Sequence, residues 1–165
     1  MGTLRWGLVL LLARLGAGCG DAAGNPGQQP DAGGGASQLS VGGSYDTRVT
    51  LLPGGTCSGV TVEDAVTSVD HVPGASSLML THAGVSHPGT VDALARFQTT
   101  PRSVVVGTAT FRITLAGQFS VSGFEATATV EQTSPAACAY SVRWLGAKSG
   151  SPNIIPAPAQ GTSLR

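Results

Sequence analysis

Residues 104–130 read VVVGTATFRITLAGQFSVSGFEATATV, and their alternation decides the fold class. Ala109, Phe111, Ile113 and Leu115 share one parity, while Thr108, Thr110, Arg112 and Thr114 share the other. That is the period-two pattern of a strand with one buried face. The pattern predicts one strand from Val104 to Leu115, ended by a hairpin turn at Gly117 and Gln118. Phe119 and Val121 continue the apolar set, which then becomes Phe124, Ala126, Ala128 and Val130. The parity slips at Gly123, where a β-bulge or sharp bend is predicted.

The same period runs through the chain on both sides. Tyr45, Val49 and Leu51 oppose Asp46, Arg48 and Thr50, and Pro53, Gly54 and Gly55 end that strand. Val60, Val62 and Val66 alternate with Thr61, Glu63 and Thr67 up to a turn at Pro73 and Gly74. A short strand covers Leu78 to His82, broken by Gly84 or by His87, Pro88 and Gly89. The segment from Asp92 to Arg96 fits either a tight turn or a single helical turn. Cys138, Tyr140, Val142 and Trp144 form the last inward row, opposite Ser141 and Arg143. Seven or eight antiparallel strands with short connections imply an all-β meander, either a sandwich or a lipocalin-like up-and-down barrel.

Composition supports a strand-and-turn protein. Charged residues make up 11% of the chain, against about 25% in typical domains. The 165 residues suffice for one domain with its own core. Nine basic and nine acidic residues cancel, and no basic cluster is present to neutralise phosphates, so nucleic acid is not an expected partner.

The N-terminus carries an address. Arg5 precedes a short apolar run over residues 6–13, followed by Gly16, Ala17, Gly18 and Cys19. The run is too short to span a bilayer as a helix, which takes about 20 residues, and it has the layout of an export signal. Small residues before a cysteine at the end of such a run resemble the lipobox of bacterial lipoproteins, although Gly16 stands where that family favours Leu. The resemblance implies cleavage after residue 18, with Cys19 becoming the lipidated N-terminus, its acyl chains of the palmitate type. With Gly20 rather than Asp next, it also implies a cell-envelope protein at the outer membrane. The membrane, through this lipid, is then the first expected partner.

Residues 20–40 are Gly, Ala, Pro, Gln and Asp with almost no large apolar side chain, as in a flexible tether. The expected organisation is a signal at 1–18, a lipidated cysteine and tether at 19–40, a β-domain at 41–148 and an extended or disordered tail at 149–165. Three cysteines are an odd number for an exported chain. If Cys19 carries lipid, Cys57 and Cys138 remain as a disulfide pair. Cys57 follows the first strand and Cys138 opens the last, and those points adjoin only if the meander closes, which favours a barrel over a sandwich.

Candidate chemistry is sparse. Cys57 lies in a G-x-C-x-G setting, but a nucleophile elbow needs a following helix, and here a strand pattern follows. Asp70 and His71 are at most half of a hydrolase triad. His71, His82 and His87 lack ligand-spaced carboxylates or thiolates and are expected to be partly exposed at turns. No catalytic residue, metal or cofactor is assigned. Phe111, Phe119, Phe124, Tyr140 and Trp144 are the residues that a ligand cavity inside a barrel would use, or else they are plain core. The expected function is an envelope interaction or structural module acting on another envelope protein. The alternative is a barrel that binds a small apolar ligand, and a hydrolase is the remote third reading.

Overall fold

The computed structural model describes residues 38–157, in which the alternation becomes nine strands and no helix. They are β1 (Gly43–Leu51), β2 (Ala65–Asp70), β3 (Ser77–His82), β4 (Val85–Val91), β5 (Arg96–Thr99), β6 (Arg102–Val106), β7 (Ala109–Ser120), β8 (Gly123–Ser134) and β9 (Cys138–Ser149). All pairings are antiparallel, in the order β5-β4-β3-β2-β1-β9-β8-β7-β6. Pairing of β5 with β7 closes eight strands into a barrel and leaves β6 as an extra strand. The signal segment, Cys19, most of the tether and the last tail residues lie outside the described residues.

β5 and β6 lie along the same neighbour, with Phe97 opposite Gly117 and Arg102 opposite Ile113 on β7. Between them stands Pro101, which has no N–H to give to a ladder. The strand expected from Val104 to Leu115 is therefore two. Gly107, with φ of 62°, and Thr108 form a turn between β6 and β7.

The expected turn at Gly117 and Gln118 is not present, since β7 runs through both residues to Ser120. Gly117 is a place where a Cβ would strike the backbone of Glu125 and Ala126 on β8, so it marks close approach of strands rather than reversal. The reversal is a two-residue hairpin at Val121 and Ser122, with Ser120 paired to Gly123. That hairpin accounts for the parity slip attributed to a bulge at Gly123, and it leaves Val121 exposed. The one register shift between β7 and β8 lies between Thr110 and Phe111.

The second strand also differs from expectation. Val60 and Val62 precede β2, Val66 faces out, and Thr67 and Val69 face in. The segment after Asp92 is a turn, in which Asp92 Oδ1 accepts from the backbone N–H of Leu94 and Arg96. The β3–β4 reversal is Ala83–Gly84, both with positive φ as a tight hairpin demands. His87, Pro88 and Gly89 therefore lie inside β4.

The core is divided along the barrel axis. At one end Tyr45, Phe97, Phe119 and Phe124 pack ring to ring, with centroids 4.8 Å apart for Phe97–Phe119 and 5.2 Å for Tyr45–Phe124. Gly146 sits opposite Phe124 in the β8–β9 ladder, where a Cβ would run into that ring. Leu80 and Leu115, fully buried, fill the middle.

Both ends of the described chain meet at this aromatic plug. Leu39 and Val41 are buried, and Ser40 bridges Ile154. Asn153, 5% exposed, donates through Nδ2 to Ser120 O at 2.8 Å and Gly123 O at 3.3 Å, and its backbone N–H donates to Val121 O. Its Oδ1 lies 2.8 Å from the Tyr45 hydroxyl, which also faces Val41 O at 2.6 Å and shares one proton between them. Burial pushes the Tyr45 phenol up to about 12, partly offset by the Asn153 contact.

Asn153→Ala would leave several buried polar atoms without partners, at about 1–3 kcal/mol for such an atom. It is expected to lower the urea midpoint by the equivalent of about 2 kcal/mol at an unchanged m-value. An unchanged midpoint would remove Asn153 from the set of stabilising contacts.

Candidate functional site

The end of the barrel opposite the plug is open. The connection over residues 52–64 reaches across it and is held by the Cys57–Cys138 disulfide, with Cα atoms 5.1 Å apart. The bridge closes a separation of 81 residues, which in the loop-entropy model stabilises by about 4 kcal/mol. Thr56 adds to the same clip, its N–H donating to Ala139 O and its Oγ1 accepting from Ala139 N.

Below this rim lies a cavity of about 420 Å³, within the roughly 300–1,000 Å³ of small-molecule sites. Val49, Val62, Ile113, Val130 and Val142 supply its apolar wall. His82, His87, Tyr140 and Trp144 also line it, and Glu63 stands at its exposed edge. The inward row of β9 sets the depth, descending from Cys138 at the rim through Tyr140 and Val142 to Trp144 at the floor. A larger cleft of about 880 Å³ lies on the outer face, among outward residues such as Thr90, Gln98, Gln118 and Glu125, and holds no buried polar atom lacking a partner.

The floor is a cluster of rings. His82 stacks on Trp144 with centroids 4.1 Å apart, and His87 meets Trp144 edge-on at 6.4 Å. A polar chain fixes His82, whose Nδ1 is 2.9 Å from Thr67 Oγ1, itself 2.8 Å from Thr47 Oγ1. Thr47 Oγ1 also lies 3.2 Å from Tyr45 O, so the chain runs from the His82 ring through two buried hydroxyls to the β1 backbone.

Two buried polar atoms have no hydrogen-bond partner among the described residues, His87 Nδ1 and Trp144 Nε1. Both residues line this cavity. His87 is 3% exposed and Trp144 6%. Burial pushes His87 down to about 4, helped by the Arg102 guanidinium and by His82. Burial also lowers His82 below the ordinary imidazole value.

The aromatic row expected to line a cavity is split between the two ends. Tyr140 and Trp144 line it, Phe119 and Phe124 belong to the plug, and Phe111 is half-buried and not part of the lining. Of the histidines expected to be partly exposed at turns, His82 is so, at the end of β3 beside the Ala83–Gly84 turn, whereas His71 and His87 are buried. His87 points inward from β4, and His71 is 8% exposed, its Nε2–H donating to Ala75 O and its Nδ1 accepting from Val41 N. Both ring nitrogens of His71 are thus engaged by backbone, and Asp70 beside it faces out.

No protein-family model, curated protein or solved structure matches the chain. The site is therefore argued from its own geometry. Among the described residues no group of three or more His, Cys, Asp or Glu is placed to hold a metal ion.

The depressed histidines predict an acid-sensitive fold. His87 titrates near its ordinary 6.5 when unfolded and at about 4 when folded, so the unfolded chain binds more protons between those values. The stability held by neutral His87 is full above about pH 6.5 and is lost, by a few kcal/mol at most, as pH falls through that window. Urea midpoints at about pH 7 and about pH 4.5 should differ more in wild type than in His87→Leu, where the lowered His82 remains. An equal drop in both proteins would clear His87 of the effect.

Proposed function

We propose that this protein is a lipid-anchored envelope module, held through Cys19, whose barrel binds a small and mostly apolar ligand in its open mouth. The observation that carries the binding reading is the cavity of about 420 Å³ with aliphatic walls, closed below by Trp144 and His87. A barrel that served only as a scaffold would gain by filling that space, since unfilled volume costs stability. The anchoring reading rests on the lipobox-like residues before Cys19 and on the Cys57–Cys138 bridge, which suits an oxidising compartment.

One observation favours the interaction reading instead. β6 pairs only with β7 among the described residues, and Val105 and Val106 on it are 69% and 62% exposed. Such an edge can accept an added strand from another protein.

An environment-sensitive apolar dye should bind the full chain at one site, and Val130→Phe, which fills the mouth, should abolish binding while the fold persists. Dye binding that survives Val130→Phe would move the site elsewhere. For the anchor, the intact mass of the native protein should correspond to cleavage after Gly18 plus acyl chains, less two hydrogens for the bridge. A product carrying Cys19 as a free thiol would overturn it.

A further inference from the structure

The two ends of the barrel differ in what their connections present. At the plugged end the chain turns at residues 71–76, 92–95 and 121–122 and returns along 150–157. Each of these four segments carries one exposed large apolar side chain, in order Val72, Leu94, Val121 and Ile154. The open-end connections 52–64, 83–84, 107–108 and 135–137 carry none, and the exposed Leu51, Val105 and Val106 there belong to strands β1 and β6. Strand side chains point sideways from a sheet, whereas turn tips project along the barrel axis. The four tips adjoin around the entering chain. Gly74 N–H donates to Leu39 O, Ser40 bridges Ile154, and Asn153 N–H donates to Val121 O. Leu94 lines a cleft with Gly74, Ala75, Pro156 and Ala157. Apart from the buried His71, the only titratable side chain in these segments is Asp92, whose carboxylate is taken by the Arg96 guanidinium and by the backbone N–H of Leu94 and Arg96. At the rim, by contrast, the connection 52–64 ends in the exposed Glu63 and Asp64.

We infer that the plugged end is a membrane-contacting face, with Val72, Leu94, Val121 and Ile154 seated at the lipid–water boundary of the bilayer that holds the Cys19 lipid. The inference rests on the anchoring reading above and adds a contact surface to it. The chain enters the described structure at this end, at Gln38, and Cys19 stands 19 residues earlier in the sequence. Acyl chains on Cys19 would therefore tie the plugged end, and not the rim, to the bilayer. Four aliphatic tips offer too little apolar area to hold a protein on a membrane unaided. Beside a lipid anchor the contact is intramolecular, and modest apolar burial is then enough to set orientation. An unpaired charge at a tip would resist leaving water, and the one carboxylate here is already paired. The tips offer a protein partner little charge to fix register, whereas a bilayer asks for none.

The test places an indole at either end of β7, with Val121→Trp at the plugged end and Thr108→Trp at the rim, both on exposed hairpin tips. Each native protein is reconstituted into phosphatidylethanolamine and phosphatidylglycerol vesicles, with or without bromine on the acyl chains, and wild-type emission is subtracted to remove Trp144. The added emission of Val121→Trp should shift to the blue on vesicles and be mostly lost when the chains are brominated. That of Thr108→Trp should do neither. Should Val121→Trp fail to fold, Val72→Trp supplies the same reading. If neither indole is quenched while the protein sediments with the vesicles, the contact is overturned and the anchor stands. Equal quenching of both would also overturn it, since no face is then preferred. A blue shift at Val121→Trp without quenching would assign the face to a second copy of the chain instead of lipid. A protein that does not sediment with vesicles, and whose mass lacks acyl chains, would overturn the anchor and the contact together.

Discussion

The pairing of β1 with β9 is the contact on which the rest of the molecule depends. It joins the first and last strands of the barrel from Ser44 opposite Ser149 to Leu51 opposite Val142. Bringing those strands together closes a long loop, a cost that local turns do not share. The seam is secured beyond both of its ends. Past the rim Cys57 is bonded to Cys138, and past the plug Ser40 bridges Ile154 while Asn153 ties the returning chain to the β7–β8 hairpin. Without the seam the sheet would have two open edges, and the cavity would lose the wall that runs from Val49 to Trp144.

The interior is asymmetric for a physical reason. Four aromatic rings at one end fill space that small residues such as Gly146 leave for them, and they make a dry stop. At the other end the inward side chains, among them Val49, Ile113, Val130 and Val142, leave a cavity above the Trp144–His82 stack. The polar chain from His82 through Thr67 to Thr47 passes between the two regions with its hydrogen bonds satisfied. Trp144 Nε1 and His87 Nδ1, on two residues that line the cavity, are buried without partners among the described residues.

The strand content was legible because a half-buried strand writes its period directly into the chain, as Phe124 to Val130 and Tyr140 to Trp144 do. The closed meander followed from the placement of Cys57 and Cys138. Turns were less legible. Gly117 carries the same letter whether it reverses the chain or lets β8 approach, and only the partner strand distinguishes the two. The hairpin at Val121 and Ser122 lacks the usual turn residues, so its parity change resembled a bulge. His87 was hidden by its neighbours, because Pro88 and Gly89 suggest a turn. The alternation Val85, His87, Gly89, Val91 continues across them and was the available signal. The cavity itself was not legible, since its volume depends on how far apart opposite walls stand.

Because the described chain enters beside Leu39 and leaves beside Ile154, both connections to anything outside the barrel emerge from the plugged end. A pull on the segment preceding residue 38 would fall on the aromatic base and on β1, the most heavily braced parts of the fold. The disulfide-clipped rim would carry none of that load.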